Sequence, residues 1–481
     1  MGTLFILARH FCTHLFRQKV FYLLWFIFMW LLAYAGYNGH RYVTAQNDIQ
    51  RQYQQAARES WENNPDKHPH RMAHFGSFAL RLKHPLARFD PGMEPYAGNA
   101  VFLEAHRQNT VNYSEAGFST GLLRMGELSV AMLLQIILPL IIFFLGFGSI
   151  AAEREQGTLK MIGSQGVAPM VLMAGRTLGL WLAAACFFVP ALLVSSWLLW
   201  KQPSAAPMAS TGARFLYLCL AYGIFFWVTS TICILVSATS KTARAALIKL
   251  LGFWLLFSVV LPKMTPVLAQ VLFPAPGKMS FEAAIEQDIL KQGDSHNPDD
   301  PFFRKIKDSV LQHYGVSKAD SLPVNLGGII STAGEQLSSE TYLRHQQELN
   351  NRFRKQNGVS RPFAWLNPFM MIRLNSIAFS GSDFEAYVHF QQQAEEYRYK
   401  LAQEMNSLQT KFISNTRPKE GSHLLQISKK HWHGFEDFQY RFLPVEKVFR
   451  NEWDVVAAML GWFIGSFLFI AIYARRFKII L

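Results

Sequence analysis

The stretch LSVAMLLQIILPLIIFFLGFGSI, residues 128–150, is apolar almost throughout and leads directly into the polar segment AAEREQGTLK, residues 151–160. No charged residue occurs between positions 128 and 152. A helix rises about 1.5 Å per residue, so this stretch is long enough to cross a hydrocarbon core of about 30 Å. The pattern predicts a membrane-spanning helix that ends in a short charged turn, after which the chain becomes apolar again.

The composition of the whole chain indicates a polytopic membrane protein. Of its 481 residues, 50% are hydrophobic and 14% aromatic, the mean hydropathy is +0.10, and the apolar residues occur in blocks. The formal net charge is +14. In a chain with such blocks, basic loops at a membrane surface explain this charge better than nucleic-acid binding. The cysteines lie outside the large polar regions, so we expect no disulfide framework: Cys12, Cys186, Cys219 and Cys233.

Hydropathy divides the chain into six spans and two large polar regions, which predicts a mainly α, six-span membrane protein with two largely helical extracytoplasmic regions. The short loops predicted to face the cytoplasm carry more Lys and Arg than the short loop at 201–214, which is predicted to face outward. This difference favours both termini in the cytoplasm. The expected order is a cytoplasmic interfacial helix at 1–19, span 1 at 20–37, a first periplasmic region at 38–127, spans 2 to 5 with a coupling loop at 151–169 within 128–272, a second periplasmic region at 273–454, span 6 at 455–474 and a cytoplasmic tail at 475–481.

Some local features can also be predicted. The helix of span 1 should continue beyond Tyr37, because apolar residues recur there at helical spacing. A capping box at 382–385 should open a long helix whose apolar stripe runs from Phe390 to Phe412. Pro139 should kink span 2. Arg176 and Lys249 lie near the expected cytoplasmic face, where snorkelling would explain them.

The polar segment after span 2 is the most informative part of the chain. Glu153, Arg154 and Glu155 solvate the helix end and offer ion pairs to another protein. Gly157 allows the chain to turn, and Thr158 can cap a short following helix. The alternative is a solvated charge run without a partner, and physical chemistry alone does not separate the two interpretations.

The sequence and position of this segment resemble those of the cytoplasmic coupling loop of type 2 ABC transporter permeases, in which a Glu-Arg-Glu-x-Gly-Thr string follows the second span. Six spans with both ends inside match the plan of that family. Further stretches are similar to a subgroup with enlarged periplasmic regions: AHFGSFA at 73–79, LARFDPG at 86–92, LEAHRQN at 103–109, LNPF at 366–369 and SGSDF at 380–384.

The resemblance implies a permease subunit of an ATP-driven exporter in a bacterial inner membrane. It implies a second copy or a sibling permease, two separate ATPase subunits that carry the ATP, and surrounding membrane lipids. Glu153, Arg154, Glu155, Gly157 and Thr158 would be the contacts to the ATPase. This chain would then be no enzyme and hold no cofactor. Its sequence agrees, because its single Gly-Lys pair, at 277–278, lacks the surroundings of a phosphate-binding P-loop.

Two other classes of function also fit parts of the sequence. One is a membrane-anchored receptor or scaffold that uses the two large regions to bind a ligand or an envelope protein. The other is a hydrolase, because residues 117–121 fit Gly-x-Ser-x-Gly with Ser119 as the nominal nucleophile. That chemistry requires a strand-to-helix elbow, and no strand pattern precedes Ser119, so chance is the favoured explanation.

Histidines crowd the first large region. His68, His70, His74 and His84 lie in one stretch, and a His-x-His pair occurs at 431–433. Imidazole suits zinc or copper, but no cysteine joins the group and the spacing matches no common site. The sequence therefore predicts no metal site.

Overall fold

The computed structural model describes residues 2–109, 111, 128–200, 206–294, 297, 300–416 and 425–477. The prediction of a mainly helical chain with six spans is confirmed, because six helices in the described residues are long and apolar enough to cross a membrane. Spans 1 to 6 are Lys19–Glu62, Val130–Glu155, Pro169–Trp200, Met208–Thr239, Ala243–Leu272 and Trp453–Arg476. We call residues 38–127 and 273–454 the first and second polar regions.

A helix at the start of the chain, Gly2–Phe16, packs against the beginning of span 3. Small residues on span 3 permit this close approach: a Cβ atom at Gly179 would lie 2.7 Å from the Ala8 carbonyl oxygen. Span 1 follows as a single helix of 44 residues, as the helical spacing beyond Tyr37 predicts. Its apolar half packs on span 3, with Phe21 and Phe28 both in edge contact with Phe187.

The first polar region is less helical than predicted. Beyond Glu62, the described residues form a short helix, Pro69–Phe75, a 3-10 turn, Pro85–Arg88, and two antiparallel strands. The strands are Ser77–Leu80 and Ala100–Leu103, with Ser77 opposite Leu103. Apolar residues of this hairpin pack against the long helix of the second polar region, so the two regions share a core.

The second polar region is helical, as expected. Two long helices, Leu326–Ser360 and Phe384–Phe412, pack along each other. The predicted apolar stripe is buried from Phe390 to Leu408 except at Tyr397, which is partly buried, whereas Phe412 is exposed. The other α-helices of this region are Lys278–Gln292, Pro301–His313, Pro368–Phe379, Lys430–His433 and Val445–Asn451, with 3-10 turns at Ala319–Ser321 and Pro362–Trp365.

The predicted capping box at 382–385 is wrong in its residues. Asp383 is the N-cap and accepts a hydrogen bond from the Ala386 amide at 3.2 Å. The Ser382 hydroxyl instead donates to the Asp90 carbonyl oxygen, 2.8 Å away. Glu385 forms an ion pair with Arg354. The helix therefore begins one residue later than the sequence pattern indicates, because Ser382 binds the first polar region.

Spans 2 and 5 each contain a π-helical turn just before a proline. In span 2 the turn is Leu133–Ile137 and precedes Pro139, the residue at which a kink is predicted from the sequence. In span 5 the turn is Leu255–Val260 and precedes Pro262. The two interruptions are joined, since the indole nitrogen of Trp254 donates to the Ile136 carbonyl oxygen at 3.0 Å.

Asn367 compensates for the interruption in span 5. In the π turn, the amide of Leu261 bonds to the carbonyl five residues earlier, and Pro262 has no N–H for the next carbonyl, that of Phe257. The Asn367 amide group donates to this Phe257 oxygen at 2.8 Å, while its carbonyl oxygen accepts from the amide of Phe369. One fully buried side chain thus completes a span and caps the helix Pro368–Phe379.

We expect Asn367→Asp to lower the melting temperature of the purified chain. The carboxylate keeps the helix cap but presents an oxygen to the Phe257 carbonyl, and a buried carbonyl without a donor costs about 1–3 kcal/mol. Thermal unfolding in detergent measures the change. A Pro262→Ala background supplies a backbone N–H to the same carbonyl and should reduce the cost of Asn367→Asp. Equal costs in both backgrounds would contradict this explanation.

Candidate functional site

The segment 151–166 consists of two short helices joined by a turn. The helices are Ala151–Glu155 and Thr158–Ser164. Gly157 joins them with a φ of 79°, a left-handed conformation that glycine adopts without strain. The predicted capping role of Thr158 is wrong: Gly157 occupies the N-cap position, and the Thr158 hydroxyl donates to the Glu153 carbonyl oxygen at 3.2 Å.

Two of the predicted contact residues bind other spans of the same chain. Glu153 forms an ion pair with Arg176 of span 3. The explanation of Arg176 by snorkelling is therefore wrong: this residue is only 4% exposed. Arg154 donates to the carbonyl oxygens of Ala238, at 2.7 Å, and Ser240 at the end of span 4.

Two further contacts attach the segment to spans 4 and 5. A carboxylate oxygen of Glu155 accepts from the Ala243 amide at 3.1 Å, at the first residue of span 5. The Ser237 hydroxyl accepts from the amides of Ile150 and Ala151, both at 3.0 Å, and donates to the Phe147 carbonyl oxygen. Segment 151–166 is thus continuous with span 2 and bonded to spans 3, 4 and 5.

One face of the segment is free of these contacts and exposed. Leu159 is buried beneath it, whereas the Met161 side chain is 65% exposed. Gly157 and Thr158 lie on this face, and Glu155 is at its edge. We call it the exposed face of segment 151–166, and it comprises Gln156, Gly157, Thr158, Lys160, Met161, Ser164, Gln165 and Gly166.

Both ends of the described chain lie near this segment. The hydroxyl of Tyr473, in the last turns of span 6, donates to the Ala238 carbonyl oxygen at 3.3 Å, and the Phe477 ring lies 5.3 Å from the Arg154 guanidinium. The helix Gly2–Phe16 packs where span 3 begins, directly after the segment. The structure therefore places both ends of the described chain at the same end of the span bundle as segment 151–166.

A buried polar cluster lies where the two polar regions meet the spans. One carboxylate oxygen of Asp90 accepts from the Ser376 hydroxyl and, at 3.3 Å, from Gln135 of span 2. Gln135 also donates to the Tyr222 hydroxyl of span 4 at 2.8 Å. Burial raises the pKa of Asp90 above its ordinary value, and its hydrogen bonds from Ser376 and Gly92 oppose this shift. The cluster connects spans 2 and 4 to both polar regions.

A second charged cluster is buried between the hairpin and the two long helices. Arg398 donates to Glu335 at 2.6 Å and forms two bonds to Glu395, at 2.7 and 2.8 Å. Burial by itself would raise the pKa of Glu335, but bonds from His106 and the charge of Arg398 outweigh it and lower the pKa to about 2. Glu335 is therefore ionised at neutral pH.

The histidines that lie close together in the structure are not the ones that lie close together in the sequence. His70 and His74 lie together with His106, which is not part of the histidine-rich stretch at 68–84. The Nδ1 atoms of His68 and His84 each accept a hydrogen bond at the start of a helical turn. The donors are the backbone amides of His70 and Leu86 respectively.

The remaining predicted residues are placed as follows. His431 lies against the Phe412 ring, and the ring of His433 is 2.9 Å from the Glu62 carbonyl oxygen. The Lys249 ammonium donates to the Ser240 hydroxyl. Arg214, which the sequence places in a loop, is buried in span 4 and donates to the Leu443 carbonyl oxygen. Ser119 lies outside the described residues.

Comparison with known proteins adds one match. A protein family described as a domain of unknown function (DUF3526) matches residues 278–441. This is about a third of the chain and covers most of the second polar region. No curated protein matches the chain.

Proposed function

We propose that this chain is the permease subunit of a type 2 ABC exporter in a bacterial inner membrane, and that a separate ATPase subunit binds the exposed face of segment 151–166. The observation that carries the proposal is the attachment of this segment to spans 2, 3, 4 and 5. Glu153, Arg154 and Glu155 supply three of these attachments. In this proposal they transmit movement within the chain, while Gly157 and Thr158 touch the ATPase.

To couple ATP hydrolysis in the partner to movement of the spans, segment 151–166 must be firmly attached to those spans. If the segment were a solvated loop, movement of a bound partner would be absorbed by its flexibility. In this chain the two short helices of segment 151–166 are continuous with span 2 and bonded to spans 3, 4 and 5. Displacement of the exposed face would therefore move those four spans together. The polar cluster around Asp90 connects spans 2 and 4 to both polar regions, which we place in the periplasm, and would carry the movement there.

The burial of the spans supports a second permease subunit and lipid contacts. Only 17% of the residues in the apolar part of span 5, and 28% in spans 1 and 6, are buried, against 56% in spans 2 and 4. Spans 1, 5 and 6 therefore have apolar surface that an isolated chain leaves uncovered. A second copy or a sibling permease, with lipid around the pair, would cover it.

A photo-crosslinking amino acid at Met161 tests the proposal. Full-length chain carrying it is expressed in its native membrane, irradiated and purified by an affinity tag. We expect crosslinks to a protein that contains a P-loop and hydrolyses ATP. The matched control places the same crosslinker at Met279 in the second polar region, where the side chain is 85% exposed.

The charge variants Met161→Glu and Met279→Glu extend this test. We expect Met161→Glu to abolish co-purification of the ATPase and Met279→Glu to leave it unchanged. ATP hydrolysis by the chain alone would refute the proposal. Capture of the same proteins from both positions, or of a protein without a P-loop from Met161, would also count against it and favour a receptor or scaffold.

A further inference from the structure

Three imidazole rings converge beside the hairpin of the first polar region. Within the described residues, one ring nitrogen from each of His70, His74 and His106 lies within 4.8 Å of the other two. The ring centroids are 4.7 to 5.4 Å apart. Ligand nitrogens around a tetrahedral zinc ion are separated by about 3.3 Å, given Zn–N bonds of about 2.0–2.1 Å. Small side-chain rotations would therefore bring the three nitrogens to the separation that binding of one zinc ion requires.

The secondary structure around these residues explains why the three rings meet. His70 and His74 are four residues apart in the helix Pro69–Phe75, so both project from one face of it. His106 reaches the same point from the segment that follows the second strand, Ala100–Leu103. The approach of a third histidine from a distant part of the chain explains why spacing in the sequence does not reveal the group.

His106 is held in an unusual backbone conformation. Its φ is 61°, and it is the one non-glycine residue with positive φ in the part of the chain that the structure describes. Residues other than glycine rarely adopt this conformation, and the ones that do are concentrated at functional sites. A conformation of this kind persists only where neighbouring groups hold it in place.

Glu335 is the group that holds His106. One of its carboxylate oxygens accepts from the His106 backbone amide at 2.9 Å and lies 3.2 Å from the ring nitrogen Nδ1. Glu335 is fully buried and is fixed in turn by Arg398. Metal-binding histidines commonly have a carboxylate on the second ring nitrogen, which sets the tautomer and orients the ring. With Nδ1 bound to Glu335, Nε2 is the nitrogen that would bind a metal.

We propose that His70, His74 and His106 form a binding site for one zinc or copper(II) ion, with Glu335 orienting His106. Imidazole ligands suit both ions, and three protein ligands leave a fourth coordination position. His74 is exposed, so an ion can reach the three histidines from solvent. The proposal does not depend on the transport function, because it concerns the polar regions alone.

Metal titration of the full-length chain tests the proposal. The protein is purified in detergent with a tag that contains no histidine, stripped with a chelator, and titrated separately with zinc sulfate and copper sulfate. We expect one equivalent of either ion to bind. His74→Gln and His106→Gln should each weaken binding at least tenfold, and Glu335→Gln should weaken it about 10–100-fold.

Two comparisons separate a specific site from general affinity for metals. The double variant His431→Gln, His433→Gln removes two histidines outside the group and should bind like the wild type. His74→Gln changes an exposed side chain and should retain the melting temperature of the metal-free wild type, so its loss of binding would not reflect misfolding. Unchanged binding in both His74→Gln and His106→Gln, or no stoichiometric binding by the wild type, would overturn the proposal.

Discussion

Replacing Arg398 with methionine is expected to lower the free energy of unfolding by about 3–5 kcal/mol, because the change leaves Glu335 and Glu395 as buried charges without their shared partner. Arg398 is 1% exposed and Glu335 is fully buried. Water cannot replace the lost guanidinium without opening the interface between the two long helices. Thermal unfolding of the full-length chain, followed by tryptophan fluorescence in detergent, measures the effect.

Arg354→Met is the matched control. Arg354 also pairs with a glutamate, Glu385, but its side chain is 42% exposed, and exposed ion pairs contribute about 0–1 kcal/mol. Combining Arg398→Met with Glu335→Gln should cost less than the two single changes added together, since fewer buried charges then remain unpaired. Equal destabilisation by Arg398→Met and Arg354→Met would show that burial is not what makes the cluster important.

The same cluster has a predicted pH dependence. The pKa of Glu335 is about 2 in the folded chain against an ordinary 4.5. Its ionised form therefore stabilises the fold fully above pH 4.5, and this contribution is lost as the pH falls toward 2. In Glu335→Gln the corresponding part of the acid destabilisation should be missing.

Replacing Arg176 with methionine is expected to disconnect segment 151–166 from span 3. The loss should be about 2–3 kcal/mol in stability, below the roughly 3–5 kcal/mol of a fully buried pair, because the Glu153 side chain retains some access to water. Under the proposed function, Arg176→Met should also prevent the permease from altering the rate of ATP hydrolysis. The ATPase should still bind, because the exposed face of the segment is unchanged.

The control for this prediction is Arg244→Met, at the same end of the bundle, where the side chain is exposed and should contribute little. Changing Glu153→Gln together with Arg176→Met removes both charges and should restore part of the stability. Co-purification and ATP hydrolysis are measured together. Loss of ATPase binding in Arg176→Met, with retained folding, would mean that the pair shapes the contact surface rather than transmitting movement.

Local sequence patterns predict the spans and the long helices, but not the two strands of the first polar region. Apolar blocks of sufficient length identified the spans, and a three-to-four-residue spacing identified the stripe from Phe390 to Leu408. These signals depend on neighbouring residues in one helix, so one sequence contains them. The turn at Gly157 was likewise predictable, because a glycine followed a charged helix end.

Contacts between distant residues were not predictable in the same way. The position of Arg176 near an expected membrane face indicates snorkelling, but its partner Glu153 lies 23 residues earlier, and only the fold brings them together. For the same reason, the sequence does not reveal that His106 lies beside His70 and His74. Asn367 gave no sign that it would bind a carbonyl in span 5, since that carbonyl was freed by a proline more than 100 residues away.

The long helix of span 1 imposes an order on the assembly of the chain during synthesis. Its first half rests on Phe187, and near its far end the Trp61 indole donates to the Trp432 carbonyl oxygen, 371 residues later. Arg58 likewise binds carbonyl oxygens of His433 and Phe435. The far half of span 1 therefore lacks these partners until the chain has been synthesised as far as residue 435. Chaperones or the insertion machinery would have to protect it during that interval.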